Sequence, residues 1–374
     1  MVAPARIDLP EAPDYRVPWD ALQVFPWLRA LEACPQDPIH HAEGNVWIHT
    51  RMVLETLAAM PAWRNLPDPQ RRAVYLACLL HDVAKPATTR TEDDGRITAK
   101  GHSRRGELMA RRILWELGEP FAIRELVCGL IRHHQVPFFL IERDDARRLA
   151  AEISLVAQCH LLALVAEADI RGRICRDLQR IVDNIDLYRE YCRDEGCLDS
   201  PRAFASPHTR YTFFHSEGRH PDIEAWDDTK VSVVVMSGLP GSGKDTYVRT
   251  HFADWPVVSL DGLRDELDID PTDNQGQVIQ AARERAKEHL RRGERFVWNA
   301  TNISRRFRAP LLSLLADYHA RITVVYIEAP NDVLWSQNRA REAAVPDKNI
   351  HAMLDRWEVP DMTEAHEVRY VVAR

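Results

Sequence analysis

Two sets of residues in this 374-residue chain have the types and spacing for phosphate chemistry. The first is Gly238-Leu239-Pro240-Gly241-Ser242-Gly243-Lys244-Asp245-Thr246, directly after the apolar run Val231–Met236. Glycines at such positions let backbone N–H groups curl around phosphates, a following helix adds positive potential at its N-terminus, and Lys244 reaches the β and γ phosphates. Asp245 stands where a hydroxyl usually follows the lysine, so either Asp245 or Thr246 is left to hold Mg²⁺. The second set is His49, His81-Asp82, His102, His134 and Asp169. Imidazoles and carboxylates together suit Mn²⁺, Co²⁺, Ni²⁺ or Fe²⁺, and the second histidine pair leaves room for two ions that would ionise water near neutral pH. Burying His81-Asp82 in an apolar helix without a cation would cost on the order of several kcal/mol.

Phosphoryl transfer to a hydroxyl also needs a carboxylate at the acceptor and cations over the migrating group. Asp261 follows the strand-like run Val257–Leu260, and Arg264 comes three residues later. Arg305, Arg306 and Arg308 form a basic cluster beyond Trp298-Asn299-Ala300-Thr301-Asn302, and Arg339 and Arg341 lie in Gln337-Asn338-Arg339-Ala340-Arg341, placed to close as a lid.

The elements that must position these residues fall into two kinds. From Asn45 to Tyr191 the pattern is amphipathic helix after helix, with no convincing strand. One helix is expected to start at the cap Asp68-Pro69, another at Ser103, a third to run from Phe121 to His134 ahead of Pro137, and a fourth from Ile153 to Ile170. The Pro-, His- and Gly-rich stretch Asp199–Asp228 reads as a connection holding a short strand at Tyr211–Phe214, and the proline-rich first 40 residues read as a surface wrap. Thereafter the apolar runs Val231–Met236, Val257–Leu260, Phe296–Asn299 and Ile322–Ile327 alternate with helical stretches, the mark of a parallel α/β sheet. The expected fold class is therefore multidomain: an all-α helical bundle over 1–204 (core 25–195), a linker over 205–229, and an α/β domain over 230–374.

Composition narrows the function classes. With 45% hydrophobic and 28% charged residues the chain is globular rather than disordered. No run approaches the ~20 apolar residues of a membrane span, and the seven cysteines lack paired CxxC spacing, so a cytoplasmic protein with reduced thiols and no membrane partner is expected. Cys192 and Cys197 read as two unpaired thiols, and His160 as a helix-face histidine outside the metal set. The net charge of −7 supplies no bulk basic field, so any nucleic acid must be held by local cations.

The second half resembles the P-loop polynucleotide kinase family, on the phosphate loop, Asp261-x-x-Arg264 and Asn338-Arg339-Ala340-Arg341. That resemblance implies ATP or another nucleoside triphosphate with Mg²⁺, cradled by Gly238, Gly241, Ser242, Gly243, Lys244, Asp245 and Thr246. It further implies Asp261 as general base for a 5′-OH, Arg264 with Arg305 and Arg306 on the substrate, Arg339 as the lid arginine and Arg341 as a second lid candidate. Asn299 stands where many relatives carry an acid, which argues against an Mg²⁺ role at that position. The first half resembles the HD phosphohydrolase superfamily: His41-Ala42-Glu43-Gly44-Asn45-Val46-Trp47-Ile48-His49-Thr50, Lys85-Pro86 and Ala168-Asp169 with Gly172-Arg173 are similar to the HD domains of tRNA nucleotidyltransferases. This implies a first metal site of His49, His81, Asp82 and Asp169, a second completed by His102 and His134 (His134 rather than His133, three residues before Pro137), and Lys85 on phosphate. The domain order resembles bacterial bifunctional end-healing enzymes that act on RNA or DNA ends ahead of a separate ligase. A 2′,3′-cyclic phosphate phosphoesterase joined to a 5′-OH kinase is the activity this implies. The alternatives are an HD nucleotidase or cyclic-nucleotide phosphodiesterase fused to a nucleoside or small-molecule kinase, and a non-catalytic ATP- and metal-gated RNA-binding protein.

Overall fold

The computed structural model describes residues 6–270, 273–341 and 344–373. The chain divides into two compact units, Met1–Ala203 and Phe204–Arg374.

Among the described residues, the first unit is built on seven helices longer than four residues: α1 (Val46–Ala59), α2 (Asp68–Leu80), α3 (His102–Glu116), α4 (Phe121–His133), α5 (Ala146–Val156), α6 (Cys159–Arg171) and α7 (Leu178–Asp194). A two-residue antiparallel hairpin, Arg90–Thr91 with Ile97–Thr98, interrupts them. Residues from Ala73 to Leu80 are buried without a break, so α2 is the central helix and His81-Asp82 emerges from the middle of the core. Gly172 sits where a Cβ would lie 2.7 Å from the Val53 backbone, so only glycine lets α6 approach α1 this closely.

Several expectations change here. The run Ile153–Ile170 is not one helix: α5 and α6 meet at 98°, with Gln158 at φ 54°, and a Cβ on Gly129 would lie 2.4 Å from the Val156 carbonyl oxygen. Tertiary packing of α4 against that carbonyl thus fixes a corner that periodicity does not reveal. Asp68 does not cap α2; its carboxylate takes Arg71 Nη2 at 2.8 Å. Gly101, at φ 78°, precedes α3 in place of a Ser103 cap. The proline-rich N-terminal stretch is no mere wrap, since Ile7, Leu22, Leu28 and Leu31 are buried in the core. Among the described residues no single helix is long and apolar enough to cross a membrane.

The second unit begins with α8 (Pro207–His215), capped by Ser206, whose Oγ accepts from Thr209 N. The stretch expected as a connection with a strand at Tyr211–Phe214 therefore contains a helix, and Tyr211 packs into the α/β core. A five-stranded, all-parallel sheet follows in the order β2-β3-β1-β4-β5, formed by β1 (Val231–Ser237), β2 (Val257–Ser259), β3 (Phe296–Asn299), β4 (Ala320–Glu328) and β5 (Glu367–Val372). β5 was not anticipated. Its helices are α9 (Lys244–His251), α10 (Leu260–Leu267), α11 (Gly276–Arg291), α12 (Arg305–Asp317), α13 (Asn331–Arg339) and α14 (Asp347–Leu354). Val231, Val233 and Val235 of β1 enter one core cluster and Val234 and Met236 another, so both sheet faces are covered, as parallel strands require. The register Ser259↔Asn299 brings the ends of β2 and β3 level, beside the loop that leaves β1, at the carboxyl edge where open α/β sheets bind ligands.

Candidate functional site

In the helical unit, five helices deliver side chains to one buried point. Asn45 caps α1 through Ile48 N, placing His49 one turn in. His81 and Asp82 follow α2, His102 opens α3, His134 follows α4, and Asp169 ends α6. Three imidazoles are fixed alike: Nδ1–H of His81, His102 and His134 donates to the carbonyl of Cys78, Ala99 and Ile131, each at 2.8 Å. That assigns the proton to Nδ1 and leaves each Nε2 lone pair turned inward. The Nε2 atoms converge, His49 to His81 at 3.3 Å and His102 to His134 at 3.4 Å. Asp82 lies between the pairs: Oδ2 is 3.2 Å from His81 Nε2 and 3.8 Å from His49 Nε2, while Oδ1 is 3.5 Å from His102 Nε2. Two groups could each hold an ion, His49–His81–Asp82 and Asp82–His102–His134, with Asp82 common to both and His134 rather than His133 in the cluster.

The donor set fits divalent cations. Both Asp82 oxygens are buried without an aligned hydrogen-bond donor; Lys85 Nζ faces Oδ2 at 2.8 Å, while Oδ1, turned to His102, has no cation beside it among the described residues, an arrangement that suits a bound ion. Burial alone would raise the Asp82 carboxyl, but His81 and Lys85 hold it well below the usual range. Burial, reinforced by His102 and His81, pushes His134 down to about 3, so it is a neutral donor at working pH. Asp169 Oδ1 lies 3.1 Å from His49 Nε2, yet Arg173 Nη2 also donates to both its oxygens at 2.7 and 2.8 Å. Asp169 therefore shares its charge between the cluster and Arg173.

Over the cluster opens a cleft of about 370 Å³ whose walls include His41, His102 and Asp37 with Lys85, Lys100 and Arg173, the last three supplying positive charge suited to a phosphate ester. Lys85 Nζ is 2.8 Å from Asp82 Oδ2 and donates to Gln36 Oε1 at 2.6 Å. Two residues escaped the sequence reading. Gln36 holds Lys85 while its own buried Nε2 has no partner, and Glu43 binds the far side of His49. The signal for Glu43 was present in the motif His41–Thr50, but a carboxylate in a non-helical turn has no periodicity to reveal its target. His160 stays outside the cluster, its ring 3.3 Å from the Leu198 carbonyl.

In the α/β unit, Gly238, Gly241 and Gly243 of the loop after β1 have φ of 153°, 78° and 97°. A Cβ on Gly238 would lie 2.4 Å from the Ile327 carbonyl oxygen, and one on Gly241 3.1 Å from that of Leu334, so the loop is a cradle pressed between β4 and α13. Lys244 Nζ donates to the carbonyls of Gly238 and Leu239 at 2.9 Å each, bridging the cradle. Burial pushes its ammonium down to about 8 against the pull of Asp245 and Asp261. Ser242 Oγ, buried in the loop, lacks a partner, as does Asn299 Oδ1 at the end of β3. Asn299 Nδ2 donates to Asp245 Oδ1 at 2.7 Å, whereas exposed Thr246 receives Arg249. Asp245 and Asn299, rather than Thr246, thus face each other beside the loop, and their oxygens suit Mg²⁺.

Asp261 lies in the first turn of α10 and pairs with Arg264, whose Nε also donates to Gln275 Oε1 at 2.6 Å. The expected basic cluster separates. Arg308 is buried against Glu364 and donates to the carbonyls of Asn302 and Glu358, and Arg305 reaches Asp361 and Thr363, so both are engaged by the unit's own fold. Arg306 is exposed on α12. Of the two arginines expected to form a lid, Arg341 is the one whose charge acts on Lys244, while Arg339 is exposed in the last turn of α13.

Residues 46–171 match the HD domain model and residues 233–360 match an AAA domain model. The chain carries an HD domain followed by a P-loop kinase-like domain. It is 31% identical over 162 residues to a multifunctional CCA protein of Ralstonia nicotianae, a match covering 41% of this chain and 34% of that protein. It is 36% identical over 124 residues to a bifunctional uridylyltransferase/uridylyl-removing enzyme of Bradyrhizobium diazoefficiens, covering 32% and 12%. The chain thus spans about a third and about an eighth of these relatives' lengths. A gluconokinase structure from Sinorhizobium meliloti is similar over 38% of this chain and 82% of its own, at 20% identity and TM-score 0.28.

Proposed function

We propose that the chain heals broken nucleic-acid ends, RNA or DNA: the HD domain hydrolyses 2′,3′-cyclic phosphate and the resulting 2′- or 3′-phosphate, and the P-loop domain moves the γ-phosphate of a nucleoside triphosphate to a 5′-OH. The observation carrying this reading is the presence, in one chain, of a buried histidine–aspartate cluster under a cationic cleft and a phosphate cradle with a carboxylate at the neighbouring strand end.

In the HD domain, His49, His81, Asp82, His102 and His134, with Asp169 at the edge, would hold one or two divalent ions such as Mn²⁺, Co²⁺, Ni²⁺ or Fe²⁺. Such an ion supplies Lewis acidity and lowers the pKa of water. Lys85 and Arg173 at the cleft hold the phosphate and offset its charge. In the kinase-like domain the loop N–H groups and Lys244 orient the triphosphate, Asp245 and Asn299 would hold Mg²⁺, Asp261 accepts the proton of the attacking hydroxyl, Arg264 steers the end to be phosphorylated, and Arg341, with Arg339, closes over the phosphates. A ligase would join the healed ends.

One observation favours a second reading, an HD nucleotidase or cyclic-nucleotide phosphodiesterase joined to a nucleoside or small-molecule kinase: Arg305 and Arg308 are spent inside the fold, which removes most of the basic track expected for a strand. An oligoribonucleotide with 5′-OH and 2′,3′-cyclic phosphate ends, incubated with ATP, Mg²⁺ and Mn²⁺, decides between them. Conversion at both ends, in preference to nucleosides and free cyclic nucleotides, is expected; turnover of the small molecules alone selects the second reading.

A further inference from the structure

From the sequence, Cys192 and Cys197 read as two unpaired thiols. The fold adds a third. Cys159 opens α6, Cys192 sits near the end of α7, and Cys197 follows the turn at Gly196. All three are free and buried, and their sulfurs lie within 4.8 Å of one another. Thiolates around a tetrahedral ion with Zn–S of about 2.3 Å stand about 3.8 Å apart, so contraction of roughly an ångström at most closes the site.

Two further observations point to a ligand. Tyr188, one turn before Cys192, is buried, and its hydroxyl has no hydrogen-bond partner although it interacts with Cys159 and Cys192. Cys159 also lies at the N-terminus of a 13-residue helix, where the backbone field favours a thiolate.

We propose that Cys159, Cys192 and Cys197 form a buried structural zinc site, with the Tyr188 hydroxyl at the fourth position. The charge balance suits Zn²⁺: three thiolates leave a single net negative charge, set against the α6 N-terminus, with Arg202 also acting on Cys197. The site would clamp the end of α7 and its following turn to the start of α6. The other end of α6 carries Asp169, so the clamp would steady one wall of the histidine cluster without touching substrate.

The test uses the reduced full-length protein loaded with Co²⁺, because only sulfur ligation yields the intense near-ultraviolet thiolate-to-cobalt charge-transfer band; cobalt held by the histidine cluster does not. The band is expected in the wild type, displaced by Zn²⁺, and lost in C159S, C192S and C197S but kept in C175S. Zinc content should fall by one equivalent in C192S. Tyr188→Phe should retain the band and weaken zinc by about tenfold, which keeps the assignment testable if a cysteine variant does not fold. A wild type without the band would overturn the proposal. So would a count, after unfolding, of two thiols fewer than the seven cysteines with no zinc bound, which would show a disulfide instead.

Discussion

Glu43 Oε1 lies 3.0 Å from His49 Nδ1 and 2.8 Å from His41 Nδ1, behind the metal-facing side of the His49 ring. The other cluster histidines turn Nδ1 to a backbone carbonyl; His49 alone among His49, His81, His102 and His134 turns it to a carboxylate. Although burial alone would raise it, hydrogen bonds from His41 and the Ile174 N–H, with the His49 ring close by, hold the Glu43 carboxyl well below the usual range, so it is an anion at any working pH. A carboxylate there fixes the tautomer and makes Nε2 a better donor. Glu43→Gln should therefore weaken divalent-ion binding by about 10- to 100-fold and lower phosphoesterase activity at limiting metal. Saturating Mn²⁺ should recover most of the activity, which loss by misfolding would not allow. Titration of activity against metal concentration reads the difference.

The two proposed centres draw on no residue in common, so under the proposed function their loss is separable. Lys244→Ala or Asp261→Ala should lower 5′ phosphorylation by about 10²-fold or more while 3′-end hydrolysis stays within about twofold. Asp82→Ala, which removes the carboxylate common to both ligand sets, should do the reverse. Each is measured on one oligonucleotide carrying both ends. If one substitution abolished both reactions in a folded protein, independent centres would be the wrong description.

His366 gives the α/β unit a defined response to acid. Burial, with His208 and Arg321 adding to it, pushes this histidine down to about 3, and its Nδ1 accepts from Ile322 N at 3.1 Å, which a protonated ring cannot do. The unfolded chain takes up this proton near pH 6.5, whereas the native protein resists it until about pH 3. Stability should therefore be fully present above pH 6.5 and fall as the pH drops through that window, by about 1.4 kcal/mol per pH unit for one proton. Replacing His366 with Asn, whose Oδ1 can accept from Ile322 without titrating, should flatten this slope in denaturant titrations of the second unit. An unchanged slope would mean that another group carries it.

What the sequence discloses about these sites follows from how local the cause is. The phosphate loop is legible because Gly238, Gly241 and Gly243 each meet a backbone requirement within nine residues of chain. His81-Asp82 is legible because a charge in an apolar helix is anomalous by itself. Arg308 is not, since three positions separate it from Arg305 on α12 and only Glu364, 56 residues away, turns it into the core. The α5–α6 corner is hidden for the same reason: Gly129, on another helix, forces it. Cys159 joins Cys192 and Cys197 only through the antiparallel return of α7 along α6.

Asn299 and Asp245 bear on the metal requirement of the kinase. Asn299 Nδ2 donates to Asp245 Oδ1 at 2.7 Å, leaving Asn299 Oδ1 buried without a partner and Asp245 as the anion of the pair. If these oxygens hold Mg²⁺, then Asp245→Asn removes the only negative charge of the pair, and the Mg²⁺ concentration for half-maximal phosphorylation should rise by about tenfold. Thr246→Val should change it little, because that hydroxyl faces Arg249 rather than Asn299. Asn299→Asp sets two carboxylates side by side; their repulsion lowers stability when magnesium is absent, and bound Mg²⁺ relieves it. The variant should therefore gain more in melting temperature from Mg²⁺ than the wild type does. Equal sensitivity of the three variants to Mg²⁺ would place the ion elsewhere in the loop.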